Sequence, residues 1–161
     1  MAELPKGKRI RIKDYDYSSN NAYFVTLCTK DRKCVLSRIV VGHDAHIVPS
    51  IELLPYGEVV NKFIQSVPGI DKYVIMPNHV HMIIKKEGDT DSTSASNHSS
   101  LSSDVRTLKI LVTKEIGTSI WQNRFYDHVI RNEKDYLSIW EYIDNNPAKW
   151  AEDEYYIGVL Q

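Results

Sequence analysis

Two histidines stand two residues apart in an otherwise apolar stretch, YVIMPNHVHMIIKK, which runs from Tyr73 to Lys86. Side chains two apart on a β-strand point to the same face, so His79 and His81 would present their imidazoles side by side. Imidazole is a common ligand for divalent metals, and a strand holds two of them at little ordering cost. The H-x-H spacing is also frequent by chance. Taken alone, it favours two histidines on a solvent-facing strand surface.

A second candidate for chemistry is the helical pattern EKDYLSIWEYIDNN, which follows a capping residue, Asn132. At ~100° per residue, one side of this helix is an apolar stripe. The stripe consists of Tyr136, Ile139, Trp140 and Ile143. Tyr142 lies on its shoulder, and Asn146 lies one turn further along the same shoulder. The structural alternatives are that Tyr142 is a half-buried tyrosine of the core and that Asn146 is a helix C-cap. Pro147 disfavours helical dihedral angles at Asn146, which is then expected to be the last residue of the helix.

The elements that position these residues follow from periodicity. AYFVTLCT, residues 22–29, is rich in aromatic and β-branched residues and predicts a strand. YGEVVNKFIQSV, residues 56–67, has helical spacing and is stopped by Pro68-Gly69. IDKYVIM and HVHMIIKK flank Pro77-Asn78 and predict an antiparallel hairpin. A helix over 101–116 follows, with Ser102 or Ser103 as its N-cap and Gly117 as its stop.

The predicted order is strand, helix, strand, strand, helix, with a further helix at the end. This order resembles a ferredoxin-like, split βαβ arrangement. We therefore expect an α+β fold in which helices lie on one face of a central antiparallel sheet, and in which a C-terminal helix carries Tyr142.

The remaining segments predict a single domain over residues 1–161 with less regular additions. Residues 1–20 form a basic N-terminal arm, and residues 42–54 a short hairpin arm. Residues 87–103 contain a Ser-rich flexible loop. IWQNRFYDHVIRN, residues 120–132, is an aromatic connecting segment that is partly extended.

Composition sets limits on the class of protein. The net charge of -1 argues against a protein that coats duplex DNA nonspecifically. The patch KGKRIRIK, residues 6–13, is either a solvated arm or an arm that contacts phosphates. Two cysteines are too few for a disulfide framework, and their spacing from His43 and His46 fits no common zinc pattern. No stretch has the length of a membrane span and the N-terminus lacks a signal-peptide core, so we expect a cytoplasmic protein.

Two long motifs in order resemble a known family. MPNHVHMII resembles the His-hydrophobe-His motif of the HUH nucleases, and in particular the single-tyrosine transposases of the IS200 type. WQNRFYDHVIRNEKDYLSIWEYIDNNPAKW, residues 121–150, closely resembles the C-terminal signature of the REP-associated tyrosine transposases, a branch of that group. The resemblance covers most of the chain from Tyr23 onward. Residues 42–54 and the Ser-rich loop match no motif of the family.

The resemblance implies an enzyme that cuts single-stranded DNA at hairpins by transesterification, through a 5′-phosphotyrosine intermediate. It implies that Tyr142 is the nucleophile and that His79, His81 and Asn146 bind Mg²⁺ or Mn²⁺. The residues themselves predict DNA contacts at Lys8, Arg9 and Arg11 of the basic arm and at Arg124 and Arg131, for which surface salt bridges are an equal alternative. Tyr126 and His128 remain without an assigned role. Family members act as monomers or as dimers with the tyrosine helix in trans, so a homodimer is one of two possibilities.

Two other hypotheses remain open. The first is a domesticated, non-catalytic module that binds DNA or RNA hairpins. The second is an unrelated metal hydrolase that uses His79 and His81 together with a nearby carboxylate and forms no covalent intermediate.

Overall fold

The computed structural model describes residues 21–42, 44, 46, 48–86 and 99–158. The predicted N-terminal arm lies outside these residues, as do residues 87–98 of the Ser-rich loop. The strands are β1 (Asn21–Cys28), β2 (Ser37–Val40), β3 (Ser50–Leu53), β4 (Ile70–Ile75), β5 (His79–Lys86) and β6 (Tyr126–Ile130). The helices are α1 (Pro55–Ile64), α2 (Leu101–Ile116) and α3 (Glu133–Asn145), with 3-10 turns at Lys30–Arg32 and Pro147–Glu152.

The central sheet has four strands in the order β4-β5-β1-β6, and every neighbouring pair is antiparallel. This is the strand order of a ferredoxin-like fold, which confirms the predicted α+β class. The predicted hairpin around Pro77-Asn78 is also confirmed as β4–β5. The segment expected to be only partly extended supplies β6, an edge strand that pairs with β1.

Each face of the sheet packs against a different set of helices. Alternate residues of β1 and β5 form one core with α1 and α2, and this core includes Val25, Leu27, Val80, Met82, Leu108 and Val112. The opposite face forms a smaller cluster with α3, which includes Phe24, Ile83, Ile139 and Ile143. Helices α1 and α2 therefore share one face, as expected, and α3 covers the other.

Helix ends follow local signals, with three corrections to the predictions. Ser100, and not Ser102 or Ser103, caps α2 by accepting a hydrogen bond from the backbone N–H of Ser103. Helix α2 begins at Leu101, so the last three residues assigned to the Ser-rich loop are helical. Helix α1 ends at Ile64, three residues before its predicted end. The stop at Gly117 is confirmed, since this glycine has φ 89°, a left-handed value that ordinary residues avoid.

The hairpin arm is also present, although it begins earlier than predicted. Strands β2 and β3 pair from Ser37↔Leu53 to Val40↔Ser50. The hydroxyl of Ser37 donates to the carbonyl of Ile75 at 2.9 Å, which docks the arm against the end of β4. Within the described part of the chain, no helix is long and apolar enough to cross a lipid bilayer.

Candidate active site and metal centre

Strand β5 and helix α3 bring the two histidines and Tyr142 together on one face of the sheet. His79 and His81 are both buried, at 0% and 2% exposed, and their ring centroids lie 4.5 Å apart. The Tyr142 ring centroid lies 5.3 Å from that of His81, and its hydroxyl oxygen lies 3.5 Å from Nε2 of His81. Val80 points into the opposite core. The histidines therefore face the tyrosine helix and not solvent.

Asp153 adds a carboxylate that the sequence analysis did not identify. Ligand-type atoms of His79, His81 and Asp153 lie within 4.8 Å of one another. Oδ2 of Asp153 is 3.8 Å from Nε2 of His79. Asp153 belongs to the run AEDEYY, whose neighbouring acids are typical of a solvated tail. The 3-10 turn over Pro147–Glu152 returns the chain to the histidines, and no local pattern signals that return.

Asn146 lies beside the same carboxylate. Its Nδ2 donates to Oδ2 of Asp153 at 2.9 Å, and its Oδ1 is buried without a hydrogen-bond partner among the described residues. Asn146 is the C-cap of α3, one residue after Asn145 and within one residue of the predicted end, and it keeps helical angles, φ -58° and ψ -43°, although Pro147 disfavours them. The chain passes directly from α3 into the 3-10 turn, so packing of this corner outweighs the local preference.

Hydrogen bonds at the far side of each imidazole orient the pair. Nδ1 of His79 lies 2.9 Å from Oδ1 of Asn78, and Nδ1 of His81 lies 2.8 Å from the hydroxyl of Thr26. Such partners fix ring orientation in metal sites. The two Nε2 atoms are left for the centre of the site. Nε2 of His79 has no hydrogen-bond partner in the described chain.

Burial keeps both imidazoles neutral. It lowers the pKa of His79 to about 4, although the nearby Asp153 carboxylate opposes the shift. Burial, assisted by the neighbouring His79, holds the pKa of His81 well below its ordinary value. The 3.8 Å contact between His79 and Asp153 is therefore not an ion pair, because a neutral imidazole carries no charge. Neutral imidazoles are the form that binds metals.

The same environment holds the proton on Tyr142. Burial raises the pKa of its phenol, and the carboxylates of Asp153 and Glu154 raise it further. A phenol next to carboxylates is a poor nucleophile at neutral pH unless a cation enters the site.

The donor set fits a divalent cation. Two imidazole nitrogens and a carboxylate oxygen converge, and the buried amide oxygen of Asn146 lacks a partner in the described chain. Buried polar atoms are normally paired, so unpaired atoms gathered at one place need an explanation. A bound cation supplies one. Nitrogen and oxygen donors of this kind accept several first-row metals as well as Mg²⁺.

Aromatic residues of the C-terminal segment cover the histidine pair. The ring centroids of Tyr155 and Trp150 lie 4.5 Å and 5.9 Å from that of His79. The Arg32 guanidinium lies 5.6 Å from the Tyr155 ring centroid. The site is therefore enclosed by the sheet, by α3 and by residues 150–155.

The other predicted residues lie at varied distances from this centre. Tyr126 pairs with Thr26 and shares its face of the sheet. Nε2 of His128 contacts Asp135 at the start of α3, 2.9 Å away. Arg124 precedes β6 at the histidine end of the sheet, whereas Arg131 follows β6 at the opposite end. Lys8, Arg9 and Arg11 lie outside the described residues.

Comparisons with known proteins found several relatives of this chain. A Haemophilus influenzae protein named only as uncharacterized is 32% identical over 174 residues, covering 93% of each chain. A REP-associated tyrosine transposase of Escherichia coli is 40% identical over 82 residues, covering 50% of this chain and 44% of that protein. A putative REP-associated tyrosine transposase of H. influenzae is 24% identical over 142 residues, covering 83% of this chain and 74% of that protein. No family model matches the sequence.

A solved structure of a REP-associated tyrosine transposase bound to a REP hairpin is also similar. Its TM-score is 0.54 at 26% identity, over 94% of this chain and 77% of that chain. The four-stranded antiparallel sheet with its helices matches the fold of this transposase structure. With these relatives, the chain belongs to the REP-associated branch of the IS200-like single-tyrosine transposases.

Proposed function

We propose that this protein is a metal-dependent single-strand DNA endonuclease and strand transferase that acts at hairpin-forming DNA. The observation that carries the proposal is the 3.5 Å approach of the Tyr142 hydroxyl to His81, beside the unpaired donor atoms of His79 and Asn146. It brings the phenol that we propose as the nucleophile next to a candidate cation site within one chain. The arrangement does not require a second copy to supply the tyrosine.

Tyr142 is the proposed nucleophile. Its phenol oxygen attacks the scissile phosphorus and forms a phosphotyrosine bond with the 5′ side of the break. The bond from phosphorus to the 3′ oxygen breaks, and the phenolic proton is balanced by the proton that the 3′ hydroxyl gains. The reverse attack by a 3′ hydroxyl rejoins the strand. The phosphodiester bond is conserved at each step, so neither a nucleotide cofactor nor a redox partner enters.

His79, His81 and Asp153 are the proposed metal ligands, and Asn146, whose Oδ1 atom lacks a partner in the described chain, is proposed as a fourth. Mg²⁺ or Mn²⁺, when bound, supplies positive charge that polarises the phosphate and favours the phenolate. The side chains of the site position the phenol and the metal ligands. His81 lies beside the phenol, and the carboxylate and aromatic cover limit the access of water.

The proposed substrate is a single strand that folds into a hairpin, because a structurally similar relative is bound to a REP hairpin. Arg124 lies at the histidine end of the sheet and is exposed, so it is a candidate phosphate contact. Lys8, Arg9 and Arg11 remain predicted contacts.

The test is covalent trapping on labelled hairpin DNA with Mg²⁺ or Mn²⁺. The native protein should form a protein–DNA adduct that survives denaturation, and Tyr142→Phe should form none. Tyr136→Phe is the matched control, because it removes a hydroxyl from the same helix at a position where that hydroxyl binds Asp71. An adduct with Tyr142→Phe would reassign the nucleophile. Hairpin binding without any adduct in either metal would favour the non-catalytic module instead.

A further inference from the structure

The residue just before His79 makes an unusual set of contacts. Asn78 lies in the turn between β4 and β5 and is 1% exposed. Its side chain contacts the next residue and two distant parts of the chain. Oδ1 lies 2.9 Å from Nδ1 of His79. Nδ2 donates to the carbonyl of Tyr155 at 2.7 Å and to the carbonyl of Arg32 at 3.3 Å.

These contacts fix which way the amide points. A carbonyl oxygen only accepts hydrogen bonds, so the amide atom that faces two carbonyls must be the nitrogen. The other atom is then the oxygen, and it can only accept. The atom it faces, Nδ1 of His79, must therefore carry a proton. A neutral imidazole has one proton, so Nε2 is left with a lone pair directed away from Asn78.

The same amide holds the segment that carries Asp153. The carbonyl of Tyr155 is two residues beyond Asp153, and the Tyr155 ring stacks against His79. The other acceptor belongs to a turn in which Asp31 and Arg32 both have left-handed φ values, 57° and 54°. Non-glycine residues rarely adopt these values, so the turn needs support from its surroundings. Arg32 in turn donates to the carbonyl of Glu154 at 3.4 Å.

We propose that Asn78 is a positioning residue for the metal centre: it sets the Nδ1–H tautomer of His79 and anchors the segment that supplies Asp153. One amide thereby presents a nitrogen lone pair and a carboxylate to the same point. The inference rests on the metal site of the proposed function. It assigns to Asn78 a role that neither the H-x-H motif nor the three-residue ligand cluster contains.

The first test uses the native, metal-free protein and needs no substitution. Nitrogen-15 NMR of labelled histidine distinguishes the two neutral tautomers by the shifts of Nδ1 and Nε2. His79 should be protonated at Nδ1 and unprotonated at Nε2. A native His79 protonated at Nε2 would overturn the proposal, whatever the variants show.

The second test measures affinity for Mn²⁺ alone, without DNA. Asn78→Ala should weaken binding by ~10–100-fold, the range found when partners of metal ligands are removed, and should move His79 away from the pure Nδ1–H tautomer. Asn78→Asp keeps an acceptor for Nδ1–H but loses both donors, so it should retain the tautomer and still bind Mn²⁺ more weakly. The control is Asn61→Ala on α1, which removes the acceptor of the Tyr73 hydroxyl. It should change neither the tautomer of His79 nor the affinity for Mn²⁺.

Mn²⁺ affinity within twofold of native in a folded Asn78→Ala variant would refute the positioning role. If Asn78→Ala does not fold, the tautomer of His79 in the native protein and the Mn²⁺ affinity of Asn78→Asp still test the positioning role. Neither readout involves cleavage. A native protein with the expected tautomer and metal affinity but no DNA adduct would therefore refute the proposed function and leave the role of Asn78 in place.

Discussion

Strand β5 carries a buried polar cluster on each of its faces, and the two clusters differ in how well their atoms are paired. On the α1/α2 face, Lys86 donates to the carboxylate of Asp104 and, at 2.9 Å, to the carbonyl of Ser99. The hydroxyl of Ser99 donates to the other oxygen of Asp104. The group ties the end of β5 to the start of α2. Its charges and its hydrogen bonds are matched within the cluster.

The cluster on the α3 face is open. His79 Nε2 and Asn146 Oδ1 are buried without partners in the described chain, and a carboxylate lies beside them. Leaving such atoms unpaired costs free energy. Burial alone therefore does not separate a structural polar cluster from a functional one. The direction of the remaining lone pairs does, because in the open cluster they meet at one place.

The cluster of Lys86, Asp104 and Ser99 on the α1/α2 face is closed, in the sense that its polar groups are paired with one another. Breaking this closed cluster should have the largest effect. Asp104→Ala leaves a buried ammonium without its partner and should lower the free energy of unfolding by about 3–5 kcal/mol. Denaturant unfolding at constant pH measures this loss. Replacing both partners, Lys86→Met with Asp104→Leu, should recover most of it, because no unpaired charge remains. A single variant within about 1 kcal/mol of native would show that the pair is not a closed structural unit.

The open cluster should respond in the opposite way. His81→Leu removes a proposed ligand and should lower the rate of adduct formation on hairpin DNA by at least ~100-fold, since substitutions in the outer shell of a site already cost up to that much. Its unfolding free energy should fall by less than about 2 kcal/mol, because an apolar side chain of similar size fills the buried space, although the Thr26 hydroxyl loses its partner. A variant that retains the adduct would remove His81 from the metal site. A His81→Leu variant that unfolds would show that the imidazole is needed for the stability of the fold.

The parts of this site that were predictable rest on local patterns. Alternation along HVH placed both imidazoles on one face, and helical spacing placed Tyr142 and Asn146 one turn apart. Asn132 was predicted as the cap of α3, and its side chain accepts from the backbone N–H of Asp135. These features depend on residues close together in sequence, so periodicity and capping rules describe them well.

The parts that were missed depend on where distant segments meet. Asp153 follows a corner whose course is set by packing and not by the preference of Pro147. Strand β6 is short and only partly buried, so its alternation is weak, and pairing with β1 makes it a strand. Two of the three contacts of Asn78 join residues far apart in the chain. A two-histidine motif implies at least one further ligand, but spacing does not say which residue supplies it.

A pH dependence should also separate the two clusters, without any DNA. In the metal-free protein, the pKa of His79 is about 4, whereas an exposed histidine titrates near 6.5. Between these values the unfolded chain binds a proton that the folded chain excludes. The free energy of unfolding should therefore fall as the pH falls, by up to ~1.4 kcal/mol per pH unit for each buried imidazole, and these groups should have no effect above pH ~6.5.

Urea unfolding at pH 7, 6 and 5 measures this slope. The variant with both His79→Leu and His81→Leu should lose most of it and thereby isolates the pair from the other histidines of the chain. Adding Mn²⁺ should stabilise the native protein more at pH 7 than at pH 5, because protons compete for the same lone pairs. If native protein and double variant show the same slope, the open cluster does not exclude protons. Its unpaired atoms would then be accessible to water. The two clusters would then differ only in how far their polar atoms are exposed to solvent.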